Sequence, residues 1–256
     1  MPRTIHVTRY VTPLREGGSM PAVVEADDDG MYVLKFRGAG QGARALVAEW
    51  IVGGLARALG FDVPEIVFAQ LDPVLARTEG DPEIQELVRA SGGLNLALDY
   101  LPGAANFDPL AWEPDHALAS RIVWFDAFAS NVDRTARNPN LMLWHRRTWL
   151  IDHGAALYFH HGWDGDSNRA DAAFPLIRDH VLLPWADAPE RADAELAPRL
   201  TPALIEDVVA QLPDAWLSGP DAFADPDGQR QAYAAYLLRR VQRRAAFVEG
   251  IRDARG

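Results

Sequence analysis

Asn131-Val132-Asp133-Arg134-Thr135-Ala136-Arg137-Asn138-Pro139-Asn140-Leu141-Met142-Leu143-Trp144-His145-Arg146-Arg147-Thr148-Trp149-Leu150-Ile151-Asp152-His153-Gly154 is a polar loop followed by two apolar runs around a short polar turn. Apolar runs of strand length on either side of His145-Arg146-Arg147 predict a β-hairpin. A turn centred on Arg146 pairs Trp144 with Thr148, Met142 with Leu150 and Asn140 with Asp152. Facing residues of an antiparallel pair have Cβ atoms roughly 4.5–5.5 Å apart, which sets Asn140 and Asp152 side by side at the open end. Two oxygen ligands there suit one hard cation, and magnesium is commonly held by one or two such groups plus nucleotide phosphates. Asn138, two residues further out, is the second choice of ligand. Asp133, in the loop that feeds the hairpin, can accept a hydroxyl proton; otherwise it is a loop carboxylate bonded to Arg134 or Arg137.

Upstream, residues 5–11, 22–25 and 31–37 read as strands, with Asp27-Asp28-Asp29-Gly30 as a hairpin turn. The third strand carries Lys35, the only lysine of the chain: of 25 basic side chains, 25 less one leaves 24 arginines. A compact ammonium serves where a point charge must meet a phosphate or a buried carboxylate, and guanidinium does not replace it there. The turn Gly17-Gly18-Ser19 offers backbone N–H groups unobstructed by Cβ atoms, as a phosphate loop requires. Residues 43–59 read as a helix ended by Gly60. On it Glu49 shares a face with Ala45, Leu46, Val52 and Gly53, so it is expected to be buried and to need a cation. Lys35 is the economical partner.

Residues 82–90 read as a short polar helix or loop. Residues 94–101 form a strand that stops at Pro102-Gly103. Strand signals then thin out, which marks 98–103 as a connector. Residues 114–130 carry apolar side chains at helical intervals, 201–212 read as a capped helix, and 229–251 as one basic amphipathic helix. On that last helix Tyr233, Tyr236, Leu237, Val241 and Phe247 lie opposite Arg239, Arg240, Arg243 and Arg244. His160-His161 falls in a loop read as solvated, with metal binding as its alternative.

Over 256 residues the chain is 48% hydrophobic and 24% charged, in the range of a globular protein. A formal net charge of −11 argues against a general nucleic-acid or anionic-membrane surface. Without cysteine there is no disulfide, thiolate metal site or cysteine nucleophile. No signal-peptide pattern or membrane-spanning apolar stretch is present, so a cytoplasmic location is expected.

Glycine loop, strand lysine, helix glutamate, connector, Asp-to-Asn loop, hairpin and Asp-x-Gly follow the order of the protein-kinase-like pattern. Residues 131–140 and Leu150-Ile151-Asp152-His153-Gly154 most closely resemble the HipA-like kinases, and more weakly the phosphoinositide and other lipid kinases. The resemblance implies an α+β, two-lobed fold, with a β-rich lobe over residues 1–98, a connector at 99–103 and a mainly helical lobe over 104–256. It also implies ATP with Mg2+, and phosphoryl transfer to a hydroxyl acceptor, a protein Ser or Thr. By likeness, Gly17, Gly18, Ser19, Lys35, Asp99, Tyr100 and Leu101 would adjoin the nucleotide and Glu49 would hold Lys35. Asp133 would be the base, and Asn140 (or Asn138) and Asp152 the metal ligands. HipA-like kinases can modify a serine of the glycine loop, for which Ser19 is the counterpart. Thr135 replaces a histidine of many relatives, and the chain leaves little room for the extra N-terminal part of the HipA toxins. Those departures speak against a toxin role and a HipB-type antitoxin partner.

Three rival readings stay open: a small-molecule or lipid kinase, a nucleotide-binding pseudokinase acting through a partner, and a metal hydrolase built on His153, His160 and His161.

Overall fold

The computed structural model describes residues 2–14, 20–163, 166–217 and 225–256. Strands β1 (Thr4–Pro13), β2 (Ala22–Ala26), β3 (Met31–Lys35), β4 (Ile66–Leu71) and β5 (Gly93–Asp99) close into a barrel in the order β1-β2-β3-β5-β4. All neighbours are antiparallel except β1 and β4, whose parallel pairing of Thr4, Ile5 and His6 with Phe68, Ala69 and Gln70 closes the ring. The Asp27–Gly30 turn forms as the sequence predicts, with Asp29 in the left-handed region (φ 61°) and the Asp28 carboxylate accepting from Gly30 N–H at 3.1 Å.

Alternation along each strand divides the side chains between two cores. Val67, Ala69 and Ala97 point into the barrel with Ile5, Val24, Tyr32 and Leu34, where Ile84, Leu87 and Val88 of helix α2 (Pro82–Ala90) pack against them. Their neighbours Ile66, Phe68, Leu96 and Leu98 point outward onto helix α1 (Ala43–Ala58). On β3 the same alternation turns Tyr32 and Leu34 inward and leaves Val33 and Lys35 on the outer face.

Helix α1 is buried over most of its circumference because it lies between the barrel and the later helices. It ends at Gly60 (φ 82°): Gly60 N–H donates to Arg57 O at 3.0 Å and Phe61 N–H to Ala56 O at 3.0 Å, a pairing that needs a residue free of Cβ strain. Helix α3 (His116–Ala129) is capped by the Asp115 carboxylate on Leu118 N–H (2.7 Å) and ends at Ser130 in the left-handed region. Strand β6 (Ala105–Asn106) joins the predicted hairpin, β7 (Leu141–Trp144) and β8 (Arg147–Leu150), in a three-stranded sheet. Helices α4 (Pro189–Leu196), α5 (Pro202–Ala210), α6 (Asp214–Leu217), α7 (Pro226–Gln242) and α8 (Ala245–Arg255) complete the chain. One hydrophobic cluster runs from α1 and the outer faces of β4 and β5 through α3 to α8. Trp50 Nε1 donates to Val208 O and Trp216 Nε1 to Leu94 O, both at 3.0 Å, across the same junction.

The single helix expected over 229–251 is two helices, with the break at Arg243 and Arg244. Nor does Arg240 lie on a solvent face. It is buried, donating to Ala127 O (2.9 Å), Phe128 O (3.3 Å), Ala170 O (3.0 Å) and Ala172 O, and it stacks 4.8 Å over the Phe247 ring. Its charge thus meets the last carbonyls of α3, where a cation is favoured. Among the described residues no helix is long and apolar enough to cross a membrane.

Candidate active site

A cleft of about 890 Å3 opens between the outer face of β3 and β5 and the open end of the hairpin. Lys35, Tyr100, Leu101, Asn138, Asn140 and Asp152 contribute to its walls, as does Asp99 at the end of β5. Burial, then the charge of Glu65, pushes the Asp99 carboxyl above its ordinary range. Gly17, Gly18 and Ser19 lie outside the described residues.

Lys35 reaches the cleft because odd positions of β3 face out of the barrel. Its Nζ stands 2.7 Å from Asp152 Oδ1 and 3.9 Å from Glu49 Oε2. Burial disfavours the ammonium, but Asp152 and then Glu49 outweigh it, so the Lys35 pKa lies above the ordinary lysine value. Burial likewise opposes the Asp152 carboxylate, and Lys35 overrides it, holding Asp152 below the usual range. Glu49 is 1% exposed, as the helical face predicts. Lys35 is the cation it faces, as expected, at ion-pair distance but beyond hydrogen-bond reach, and among the described residues Oε2 has no hydrogen-bond partner. Instead Oε1 lies 3.2 Å from Nδ1 of His153, which is fully buried. That partner was missed by the sequence reading, although it occupies the middle of Asp-x-Gly.

Asp133 and both asparagines converge. Its Oδ2 accepts from Asn138 Nδ2 at 2.8 Å and from Asn140 Nδ2 at 3.1 Å, and Asn140 Nδ2 is also 3.1 Å from Asp133 O. The predicted hairpin register is wrong by one residue. Observed partners are Leu141 with Leu150, Met142 with Trp149, Leu143 with Thr148 and Trp144 with Arg147. The turn has two residues, His145 (φ 48°) and Arg146 (φ 62°), both left-handed, the geometry that matches strand twist. Asn140 therefore lies level with Ile151, whose N–H donates to Asn140 O at 3.1 Å, and not with Asp152. Asp152 returns to the cleft through its own left-handed backbone (φ 54°).

Beneath these groups lies a buried polar assembly that the sequence reading did not foresee. Arg134 Nε donates to Asp126 Oδ2 at 2.6 Å, both side chains being sealed from solvent. Arg134 Nη1 reaches Asn140 O and also Ile151 O (3.4 Å), tying the loop to the strand that leads into Asp152. Leu182 N–H donates to His180 Nδ1 (3.0 Å), which puts the imidazole proton on Nε2, where it meets Asp126 Oδ2 at 3.0 Å. Asn131 Nδ2 donates to Asp126 Oδ1 at 3.0 Å. Burial alone would raise the Asp126 pKa, but Arg134 and His180 hold it well below the usual carboxylate range. A polar residue on an apolar helix was the available signal: Asp126 interrupts the run Ile122 to Ala129.

His160 is also buried, contrary to the solvated-loop expectation. Its Nδ1 lies 3.0 Å from Tyr233 Oη, and burial, then His161 and Arg44, push its pKa down to about 3. His153 and His160 thus have separate partners, and no group of three or more metal-ligating side chains occurs among the described residues.

A family model described as HipA-like kinase matches residues 7–249. Among solved structures the chain is similar to the Helicobacter pylori proinflammatory kinase CtkA, with a TM-score of 0.55 and 10% identity over 98% of this chain and 97% of that one. It is also similar to the Golgi casein kinase (TM-score 0.50, 11% identity, 100% of this chain and 75% of that one). The Golgi casein kinase with Mn/ADP bound aligns at a TM-score of 0.51 and 13% identity, over 97% of this chain and 73% of that one. At such identities the likeness is one of fold. A search of curated proteins finds no match.

Proposed function

Because the chain belongs to the HipA-like kinase family, we propose that this phosphotransferase uses ATP and Mg2+ to phosphorylate a Ser or Thr hydroxyl. The observation that carries the reading is the convergence of Lys35, Asp152 and Asn138 on one cleft beside Tyr100 and Leu101, with Asp133 accepting from the Asn138 amide. Carboxylate and amide oxygens are the ligands a hard cation takes, and the buried Glu49 Oε2 is an acceptor within reach of one ammonium. The residues present therefore fit a magnesium nucleotide.

Asp152 and Asn138 would hold the metal, which supplies positive charge to the phosphates when bound. Asn138 is favoured over Asn140: it stands five residues after Asp133, the spacing of the kinase catalytic loop, and the hairpin register no longer supports Asn140. Asn140 then serves as a brace, since its carbonyl is taken by Arg134 and Ile151 and its amide by Asp133. Lys35 neutralises phosphate charge at the barrel face. Asp133, with Oδ2 fixed by two amides, accepts the acceptor hydroxyl's proton as the oxygen attacks.

Incubating the protein with Mg2+ and ATP labelled at the terminal phosphate, with a peptide library of Ser and Thr acceptors, tests this. Label on a Ser or Thr hydroxyl is expected. Label confined to a lipid or small alcohol would refute the acceptor assignment, and no label on any acceptor would refute the kinase reading.

A further inference from the structure

The mechanism above leaves His153 without a task. Its fully buried ring lies beside Gly53 of α1, where an added Cβ would meet His153 Nδ1 at 3.5 Å, an ordinary van der Waals contact. Among the described residues the ring's one polar contact is Glu49 Oε1 at 3.2 Å, and Nε2 is buried with no partner. Among the described residues Glu49 in turn has no other side-chain hydrogen bond, and Oε2 faces the Lys35 ammonium at 3.9 Å. An ionised carboxylate accepts, so the imidazole proton belongs on Nδ1. A ring retained for packing alone would be better served by an apolar side chain, which buries no unpartnered nitrogen.

Consecutive residues therefore govern both carboxylates that Lys35 can reach. Asp152 meets the ammonium directly, and His153 holds Glu49 toward it. We propose that His153 is a positioning residue, which keeps the Glu49 carboxylate aimed at Lys35 while Lys35 is bonded to Asp152. The lysine then moves between two prearranged acceptors, and Glu49 need not be reoriented in each turnover. This inference deepens the kinase reading and rests on it for its effect on rate.

His153→Phe keeps the ring volume and removes the donor; His153→Asn restores an amide N–H near the Nδ1 position. At saturating ATP we expect His153→Phe to lower kcat about 10- to 100-fold, the penalty of a misplaced reacting geometry, with KM for ATP changed less than about threefold. His153→Asn should recover most of that loss. In a Glu49→Gln background His153→Phe should cost nothing further, an outcome that a purely structural role would not produce. Full additivity, or equal rates for the Phe variant and the parent, overturns the proposal. A second measurement does not depend on turnover: in 15N-histidine-labelled protein the His153 Nδ1 proton should shift when Glu49 becomes Gln, while the signal of His180, which is bonded to Asp126, stays in place and reports that the variant is folded. An unmoved signal refutes the tether even in an active kinase. A shifted signal in a protein that transfers no phosphate refutes the kinase reading and leaves the tether standing.

Discussion

Lys35 Nζ lies 2.7 Å from Asp152 Oδ1, so the one side-chain ammonium of the chain is bonded to the carboxylate that the proposed chemistry assigns to metal. The contact joins a barrel strand to the exit of a hairpin far along the chain; the lysine side chain is 11% exposed and that of Asp152 34%, so the pair opens to solvent on the aspartate's side. A planar guanidinium on a different stem cannot reproduce a 2.7 Å point contact and remain within reach of Glu49. Lys35→Arg is expected to lower kcat/KM about 100-fold or more while the protein stays folded. Steady-state kinetics beside a thermal melt decides it, and near-parental turnover by the arginine variant would remove Lys35 from the chemistry.

Asp133 and Asp152 should fail differently. Asp133→Asn removes the proton acceptor, so kcat is expected to fall about 10²- to 10⁴-fold with little change in nucleotide affinity. Asp152→Asn should instead weaken Mg2+-dependent nucleotide binding. Calorimetric titration of ATP with and without Mg2+ separates the two, and indistinguishable binding defects would mean that their roles are misassigned.

The asparagines make a paired test. Asn138→Ala should raise the Mg2+ concentration needed for half-maximal activity more than Asn140→Ala does. Asn140→Ala should give the larger drop in melting temperature, because position 140 has φ 48° and alanine there meets left-handed strain of about 1–2 kcal/mol. A metal requirement shifted mainly by Asn140→Ala would restore Asn140 as ligand.

Acid sensitivity has a definite sign at His160. Its pKa is about 3 in the folded chain against 6.5 for a free imidazole, so only the unfolded chain binds the extra proton between those values. The stability contribution is complete above pH 6.5 and is lost as pH falls toward 3. At about 1.4 kcal/mol per pH unit, the parent should lose roughly 2 kcal/mol more between pH 7 and pH 5 than His160→Gln does. Urea denaturation at the two pH values measures this; parallel losses would exclude His160 as the group responsible.

Local chemistry was legible in the sequence where a residue type admits few environments. Lys35 stood out through the absence of any other lysine, and Glu49 through the apolar neighbours at its helical spacing. Asp29-Gly30 announced its turn. The hairpin register was not legible, because a two-residue turn in the left-handed region ordinarily calls for Asn or Gly and here uses His145 and Arg146. Arg240 and His160 were assigned to solvent by polarity, yet each finds a buried partner supplied by a distant segment, the end of α3 for one and Tyr233 for the other. The Asp126–Arg134–His180 assembly and the parallel β1–β4 closure depend on long-range contacts, which periodicity within a segment does not encode.

A lysine-free surface has a practical side. Acylation of a side-chain amine, cross-linking through one and isopeptide attachment of a ubiquitin-like tag to one all require a lysine, and here they have one destination, a group bonded to Asp152. An amine-directed reagent applied to this protein therefore gives a single-site footprint, with the α-amino group as its internal reference. Whatever covers or uncovers Lys35 will be read directly from the modified mass, without assays of catalysis.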